Sequence, residues 1–317
     1  MTLYAAYMID RRLKVLQAIA RHGTVTAAAE VCRLTPSAVS HQMQALAREL
    51  DVVLLEPTGR TVRLTAGAHT LLEHAAALTA QWERAQADLA AHQDRTELTG
   101  TLRLSGFSTA AAVVAPRALA LLRERHPGLR VQLRESEPAR AFDLLAAGDT
   151  DIAVVVATPS IPPRTDEAFE QHPLYQEPLD VLVGPDHPAA TRSSVSLDEL
   201  AGDPWVLGSP GRAYHQLVTL ACTGAGFDPA VEHHADTWDT GAALVARGFG
   251  VALIPRLVDL PASAETRRIP IAGASVPTRH VITAVRRGAA EQPGIAAGLS
   301  ALREVRRYEL PELTEIV

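Results

Sequence analysis

The sequence predicts an α/β chain led by an all-α-rich N-terminal piece and a long connecting helix, and three observations carry that expectation. Residues 10–64 read as three short helices followed by a hairpin. Residues 68–93 contain neither Gly nor Pro, and their apolar positions recur at heptad spacing. From Gly100 onward short apolar strands alternate with helices, the pattern of packed βαβ units.

The first helix is expected over residues 10–22: Asp10 is placed to cap it, Leu13, Leu16 and Ala20 recur at i, i+3, i+7, and Gly23 supplies the stop. A second helix, Val25–Cys32, is capped by Thr24 or Thr26, and its Ala27, Ala28 and Ala29 allow another helix to approach closely. After a short turn at Arg33 and Leu34, Thr35 and Pro36 give a hydroxyl cap followed by proline at the first helical position, where a missing N–H costs nothing. The third helix runs to Leu50 and buries Val39, Met43, Leu46 and Leu50. Its opposite face carries Ser37, Ser40, His41, Gln44 and Arg48, all donors or acceptors, with no carboxylate among them. An ordinary solvated face in an acidic protein mixes in Asp and Glu. Helix, tight turn and helix with an acid-free outer face is instead the pattern of a helix that reads base edges in a major groove. A plain three-helix domain is the other reading of these residues.

Val52 to Leu55, a turn at Glu56–Gly59, and the alternation of Thr61 to Leu64 predict a hairpin whose Arg60 and Arg63 can meet phosphates or a minor groove. Leu71, Ala75, Leu78, Trp82, Ala85 and Leu89 then recur at spacings 4, 3, 4, 3, 4 in a helix expected over Ala68–Gln93. This reads as a dimer seam between two such helices, with a helix lying on its own domain as the alternative.

Strands are expected at Thr101–Ser105, Arg130–Glu135 and Ile152–Val156, with helices at Ala110–Arg125 and Ala139–Ala147, which together imply a parallel sheet. A second set follows: strands at Leu179–Val183, Trp205–Leu207, Val231–His234 and Val251–Ile254, with helices at Ala213–Ala225 and Thr240–Arg247. A strand at Val281–Val285 and a helix at Ile295–Arg307 close the chain.

The net charge of −6 argues, as an average, against a nucleic-acid partner. Divided along the chain it does not. Residues 1–67 carry eight basic and five acidic residues, or +3, and the remaining 250 carry 22 basic and 31 acidic, or −9. Lys14 is the only lysine among thirty basic residues, which fits the coding bias of a GC-rich genome. The only cysteines, Cys32 and Cys222, are too far apart in sequence for a thiolate metal motif or a redox pair, which points to a reducing, cytoplasmic setting. The opening MTLYAAYMIDRR reverses the order of a secretory signal, and no apolar run reaches about 18 residues, so neither export nor membrane spanning is expected.

No catalytic, metal or cofactor residues are expected. His233, His234 and Asp236 are set aside as a metal set because adjacent strand residues point to opposite faces. Cys222 lacks an activating partner at motif spacing, and Gly248 and Gly250 precede a strand, where a dinucleotide turn should follow one.

Three strings resemble the LysR-type transcriptional regulators: TAAAEVCRLTPSAVSHQMQALARELDVVLLEPTGRTVRLTAGA, LYQEPLDVLVGPDHP and ARGFGVALIP. The resemblance implies a winged helix-turn-helix at residues 1–67, a linker and dimerisation helix at 68–95, and a periplasmic-binding-protein-like effector domain at 96–317. That domain would have two α/β subdomains, one of about 100–170 and 269–317, the other of about 171–268. It further implies that Thr35, Pro36, Ser37, Ser40, His41 and Gln44 face double-stranded DNA, with Arg60 and Arg63 on the wing. Leu55 and Pro57 stand where the family commonly has Phe and Arg, and Gly67-Ala68 inverts the usual pair. In such proteins a small effector sits between the subdomains, at turns that here hold Phe107, Ser108 and Thr109, then Thr158, Ser209, and Asp236 with Thr237. Hydroxyls at helix N-termini suit a small polar or anionic ligand. The expected assembly is a homodimer or homotetramer. The competing reading is a small-molecule-binding protein or enzyme with a helical oligomerisation domain, which the acid-free helix face and the absent signal disfavour.

Overall fold

A computed structural model describes residues 10–59, 61–92, 97–260, 265–273 and 276–309. The first three helices form where their caps place them. Asp10 accepts the Arg12 N–H at 2.9 Å at the head of α1 (Arg11–His22), which ends on Gly23 at φ 72°. Thr24 accepts the Ala27 N–H ahead of α2 (Val25–Cys32), and Thr35 accepts the Ala38 N–H ahead of α3 (Pro36–Leu50). Leu16, Ile19, Ala28, Ala29, Val39, Met43, Leu46 and Leu54 form their common core. Leu50, expected in the buried stripe, lies outside it and is exposed with Val52 and Val53. The hairpin β1 (Leu55–Thr58) and β2 (Thr61–Leu64) is antiparallel. The long helix α4 (Ala66–Ala91) starts two residues earlier than expected, because Thr65 caps it through the Ala68 N–H while donating to the Val53 carbonyl at 2.6 Å. Gln93, its expected end, lies outside the described residues.

Beyond it come β3 (Gly100–Gly106), α5 (Ala115–Arg125), β4 (Leu129–Glu135), α6 (Pro138–Ala147), β5 (Ile152–Val156) and β6 (Phe169–Val183). The turn Ala110–Val114 ahead of α5 is wound as a π-helix: the Ala115 N–H reaches back to Ala110, and Pro116 has no N–H to continue an α ladder. Then follow β7 (Pro204–Leu207), α7 (Ala213–Gly224), β8 (Ala230–His234), α8 (Trp238–Ala246), β9 (Ala252–Pro255), β10 (Arg267–Pro270), β11 (Thr278–Arg286) and α9 (Pro293–Glu304).

The expected parallel pairing holds for β4, β3 and β5, but the sheet as a whole is mixed. Its order is β10-β6-β11-β5-β3-β4, and β11 runs antiparallel to both β5 and β6. The reason is connectivity: β11 returns from the second half of the fold rather than arriving over a crossover helix. Residues 169–178 of β6 were not expected as strand, since Pro173 and Pro178 interrupt them. The ladder admits Pro173 beside a bulge, where Val281 pairs Tyr175, Ile282 pairs Pro173, and Leu174 is passed over.

At Pro178 the partners of β6 change. Up to that point it pairs β11, and from Leu179 it pairs β9 on one side and β10 on the other. One continuous strand thus serves two α/β halves. In the first, Leu102, Leu104, Ile152 and Val154 pack against Val114, Ala118, Leu122, Leu299 and Leu302. Gly298 lets α9 lie this close: a Cβ there would sit 2.6 Å from Ile152 Cδ1. The other sheet face packs on Ala141, Phe142 and Leu145 of α6. In the second half, Trp205, Leu207, Val218, Cys222 and Leu253 form the centre.

Where β6 and β11 pass between the halves, Glu177 and Arg279 are cross-strand partners and form an ion pair, 0% and 4% exposed. Glu177 also accepts the Leu257 N–H at 2.7 Å, and the Arg279 guanidinium lies 5.0 Å from the Phe107 ring centre. Removing one partner of such a pair strands the other charge in the interior, so Glu177→Ala should destabilise the protein by about 3–5 kcal/mol. Urea unfolding followed by tryptophan fluorescence measures this, and a loss below about 1 kcal/mol would contradict the assignment.

Candidate nucleic-acid interface and ligand cleft

The outer face of α3 is built by its N-terminal cap and its buried stripe. With Val39, Met43 and Leu46 inward, Ser37, His41, Gln44 and Arg48 are left exposed along one side, and Ser40 is half-buried. Thr35 and Pro36 are exposed at the helix start, and Thr35 Oγ1 meets Ser37 Oγ at 3.0 Å. The single carboxylate within α3, Glu49, binds Arg12 of α1 at 2.7 Å, so it is neutralised on the far side. This leaves a donor and acceptor surface with nothing to repel a phosphate. On the hairpin, Arg63 is exposed and paired across the strands with Glu56 at 2.5 Å. An exposed pair of this kind is worth about 0–1 kcal/mol, so it can be exchanged for a phosphate. Arg60 lies outside the described residues.

The residues of the expected seam on α4 divide between two faces. Ala75 is buried and Leu71 packs on the N-terminal core, whereas Leu78 and Leu89 are 60% and 62% exposed. Trp82 and Ala85 are half-buried. The helix meets the rest of its own chain through Ala76, Ala80, Glu83 and Ala87, a stripe on the side roughly opposite Leu78 and Leu89.

The five expected cleft hydroxyls are not equivalent. Thr109 is 2% exposed and its hydroxyl has no hydrogen-bond partner; Ser108 beside it is half-buried. Thr158 meets Ser160 at 2.8 Å and lines a cavity of about 370 Å³. The walls of that cavity come from both halves: Pro159 and His280 on one side, Leu217 and Leu220 on the other. Ser108, Thr109, Ser209 and Thr237 do not line it. Thr237 caps α8 through the Thr240 N–H. Ser209 gives both its N–H, at 2.7 Å, and its hydroxyl, at 3.0 Å, to Asp236. The Ser209 N–H holds the Asp236 carboxyl below the usual carboxylate range. At that turn the protein itself supplies the anion.

Sequence reasoning missed two residues. Arg212, at the entry to α7, donates to Glu137 of the first half at 2.7 Å and lies 3.6 Å from Asp236, so one guanidinium spans the two halves. Its position just after Pro210-Gly211 was the available signal, but its partner is 75 residues away. His215 and His234 both place Nδ1 on the Gly208 carbonyl, at 2.9 and 3.1 Å. His215 is half-buried for this reason. Burial pushes the Cys222 thiol up to about 12 and also raises that of Cys32.

Residues 11–69 match the family described as bacterial regulatory helix-turn-helix protein, lysR family, and residues 95–307 match the LysR substrate binding domain. The hydrogen peroxide-inducible genes activator of Pectobacterium carotovorum subsp. carotovorum is 29% identical over 247 residues, 78% of this chain and 80% of that protein. The RuBisCO operon transcriptional regulator of Allochromatium vinosum is 28% identical over 261 residues, 82% of this chain and 83% of its own. Among solved structures, a variant of full-length OxyR from Pseudomonas aeruginosa superposes with a TM-score of 0.61 at 23% identity, covering 92% of this chain and 96% of that one. Full-length BenM gives 0.58 at 23% identity, covering 94% and 97%.

Thr35 holds the start of α3 in place. Thr35→Ala should lower the stability of the N-terminal piece by about 1 kcal/mol, with Thr35→Ser close to wild type. Urea titration followed by circular dichroism compares the three proteins.

Proposed function

Because this chain belongs to the LysR family of bacterial transcriptional regulators, we propose that it reads its operator through the acid-free face of α3 and answers to a ligand held between its two α/β halves. It is a DNA-binding regulator with an effector-binding domain. We assign DNA recognition to residues 1–67, the linker to 68–95 and effector binding to 96–317. The observation that carries the DNA reading is the exposed run Ser37, His41, Gln44 and Arg48, with Glu49 turned away onto Arg12. Thr35, Pro36 and Ser40 complete the reading end of the helix, and Arg60 and Arg63 supply phosphate contacts. The exposure of Leu78 and Leu89, on the α4 face roughly opposite the one used internally, supports pairing with a second copy. No catalytic role is assigned, and the setting proposed is the cytoplasm. Among the described residues no helix is long and apolar enough to cross a membrane.

Regulation follows from the cleft. Ligand binding changes the angle between the halves, and through the oligomer it changes the spacing of the recognition helices. Thr158, which lines the cavity between the halves, favours a ligand with a hydrogen-bonding group.

Several relatives carry names that refer to hydrogen peroxide, yet a thiol-based peroxide response does not suit this chain. Attack on peroxide requires a thiolate. Burial holds the Cys222 thiol well above its usual range, so the neutral form dominates at neutral pH. The proposed effector is a reversibly bound molecule, since Cys222 is fully buried in an apolar core and Cys32 is raised by burial as well.

Binding to the promoter beside its own gene should fall steeply with salt. His41→Ala should relax base preference by about 1–3 kcal/mol at one position, whereas Arg60→Ala should weaken all sequences alike. Fluorescence anisotropy against operator and random duplexes distinguishes these, and equal affinity for both duplexes would refute operator reading. Treatment with hydrogen peroxide should leave operator affinity unchanged and Cys222 unmodified by mass spectrometry; a loss or gain of binding that Cys222→Ser abolishes would overturn the thiol argument.

A further inference from the structure

The helix-turn-helix is docked on the effector-binding part of the same chain, and the docking is electrostatic. Asp143 of α6 is 4% exposed and accepts from Arg21 Nη1 at 3.1 Å and His22 Nε2 at 2.9 Å, both at the end of α1. Arg140 of the same helix lies 3.7 Å from it. Lys14 Nζ faces the Ala147 carbonyl, which ends α6, at 3.4 Å, and burial lowers the lysine's pKa. Arg33, in the turn that leads into α3, lies 3.8 Å from Asp149. Three of the eight Lys and Arg residues that give residues 1–67 their small positive excess are thus turned to the acidic part of the chain.

The Arg21 guanidinium also lies 5.3 Å from the centre of the Phe169 ring. Beside this contact an open groove of about 710 Å³ separates α1 and α4 from the loop around Pro162, with Arg21 and Leu72 on one wall and Ile161 and Asp166 on the other. A second connection is of another kind. Glu83 of α4 is buried, pairs with Arg286 at the end of β11, and accepts from Gln292 at 2.6 Å. The long helix is therefore fastened to the effector-binding part, while α1 is held to it by charges at the rim of a groove.

We propose that the contact of α1 with α6, centred on Asp143, is an autoinhibitory clasp. It fixes the recognition helix in one orientation and masks cations that would otherwise draw the domain to DNA; release leaves the domain free to turn about the Glu83–Arg286 attachment. The proposal rests on DNA recognition by α3, and its two measurements separate the clasp from that recognition.

Asp143→Asn and Arg21→Gln change the net charge in opposite directions, yet both break the clasp. In the full-length protein each should raise amide hydrogen exchange over Arg11–His22 by about fivefold. Each should also tighten binding to the promoter beside the gene by about threefold. Glu232→Gln, on the exposed side of β8, controls for loss of an acid and should alter neither. Unchanged exchange in either variant overturns the clasp. Affinities that move in opposite directions reveal charge alone and overturn the inhibitory role, as do affinities that do not move. Should the wild-type protein fail to prefer the promoter over random duplex, operator reading fails, and the exchange measurement still decides whether the clasp exists.

Discussion

The two halves of the ligand-binding part depend on one buried ion pair. Glu177 and Arg279 face each other at the point where β6 and β11 leave one half for the other, and neither has access to water. Burying two charges is costly, and here the cost is offset by their contact, by the Leu257 N–H and by the face of Phe107. A one-residue slip of β6 against β11 would separate the charges inside the core, so the pair fixes the register as well as joining the strands. Phe107 directly follows β3, and Ser108 and Thr109 come next. The strand crossing and the turn after β3 are therefore held by the same contacts.

Local chemistry was legible in the sequence. The caps at Asp10, Thr24 and Thr35, the stripe Val39, Met43 and Leu46, and the acid-free face of α3 all depend on residues within one or two helical turns of each other. Interactions across the chain were not. Glu137 with Arg212 and Asp143 with Arg21 join residues 75 and 122 positions apart, and no periodicity announces them. The first part of β6 was hidden by Pro173, which the ladder admits beside a bulge at Leu174, and by Pro178, which stands at the last pair of the ladder with β11.

The cleft hydroxyls illustrate why a correct chemical inference can fall on the wrong object. Short hydroxyl side chains at helix starts do bind anions and N–H groups, but the nearest of these is usually their own chain. Thr237 satisfies α8, and Ser209 holds Asp236. Thr109 is the one of the five whose hydroxyl is fully buried without a partner.

Similarity of fold to regulators named for peroxide does not carry their trigger, because chemistry resides in particular groups. Cys222 sits among Trp205, Val218 and Leu253, a setting that favours the neutral thiol and excludes the reactant. Between the halves stands Arg212 instead, held by the carboxylate of Glu137 and flanked by that of Asp236. A ligand that engages this guanidinium must compete with carboxylates already in place. Under the proposed mechanism, binding and the breaking of a bond between the halves then become one event, and no covalent step is needed to couple occupancy to conformation.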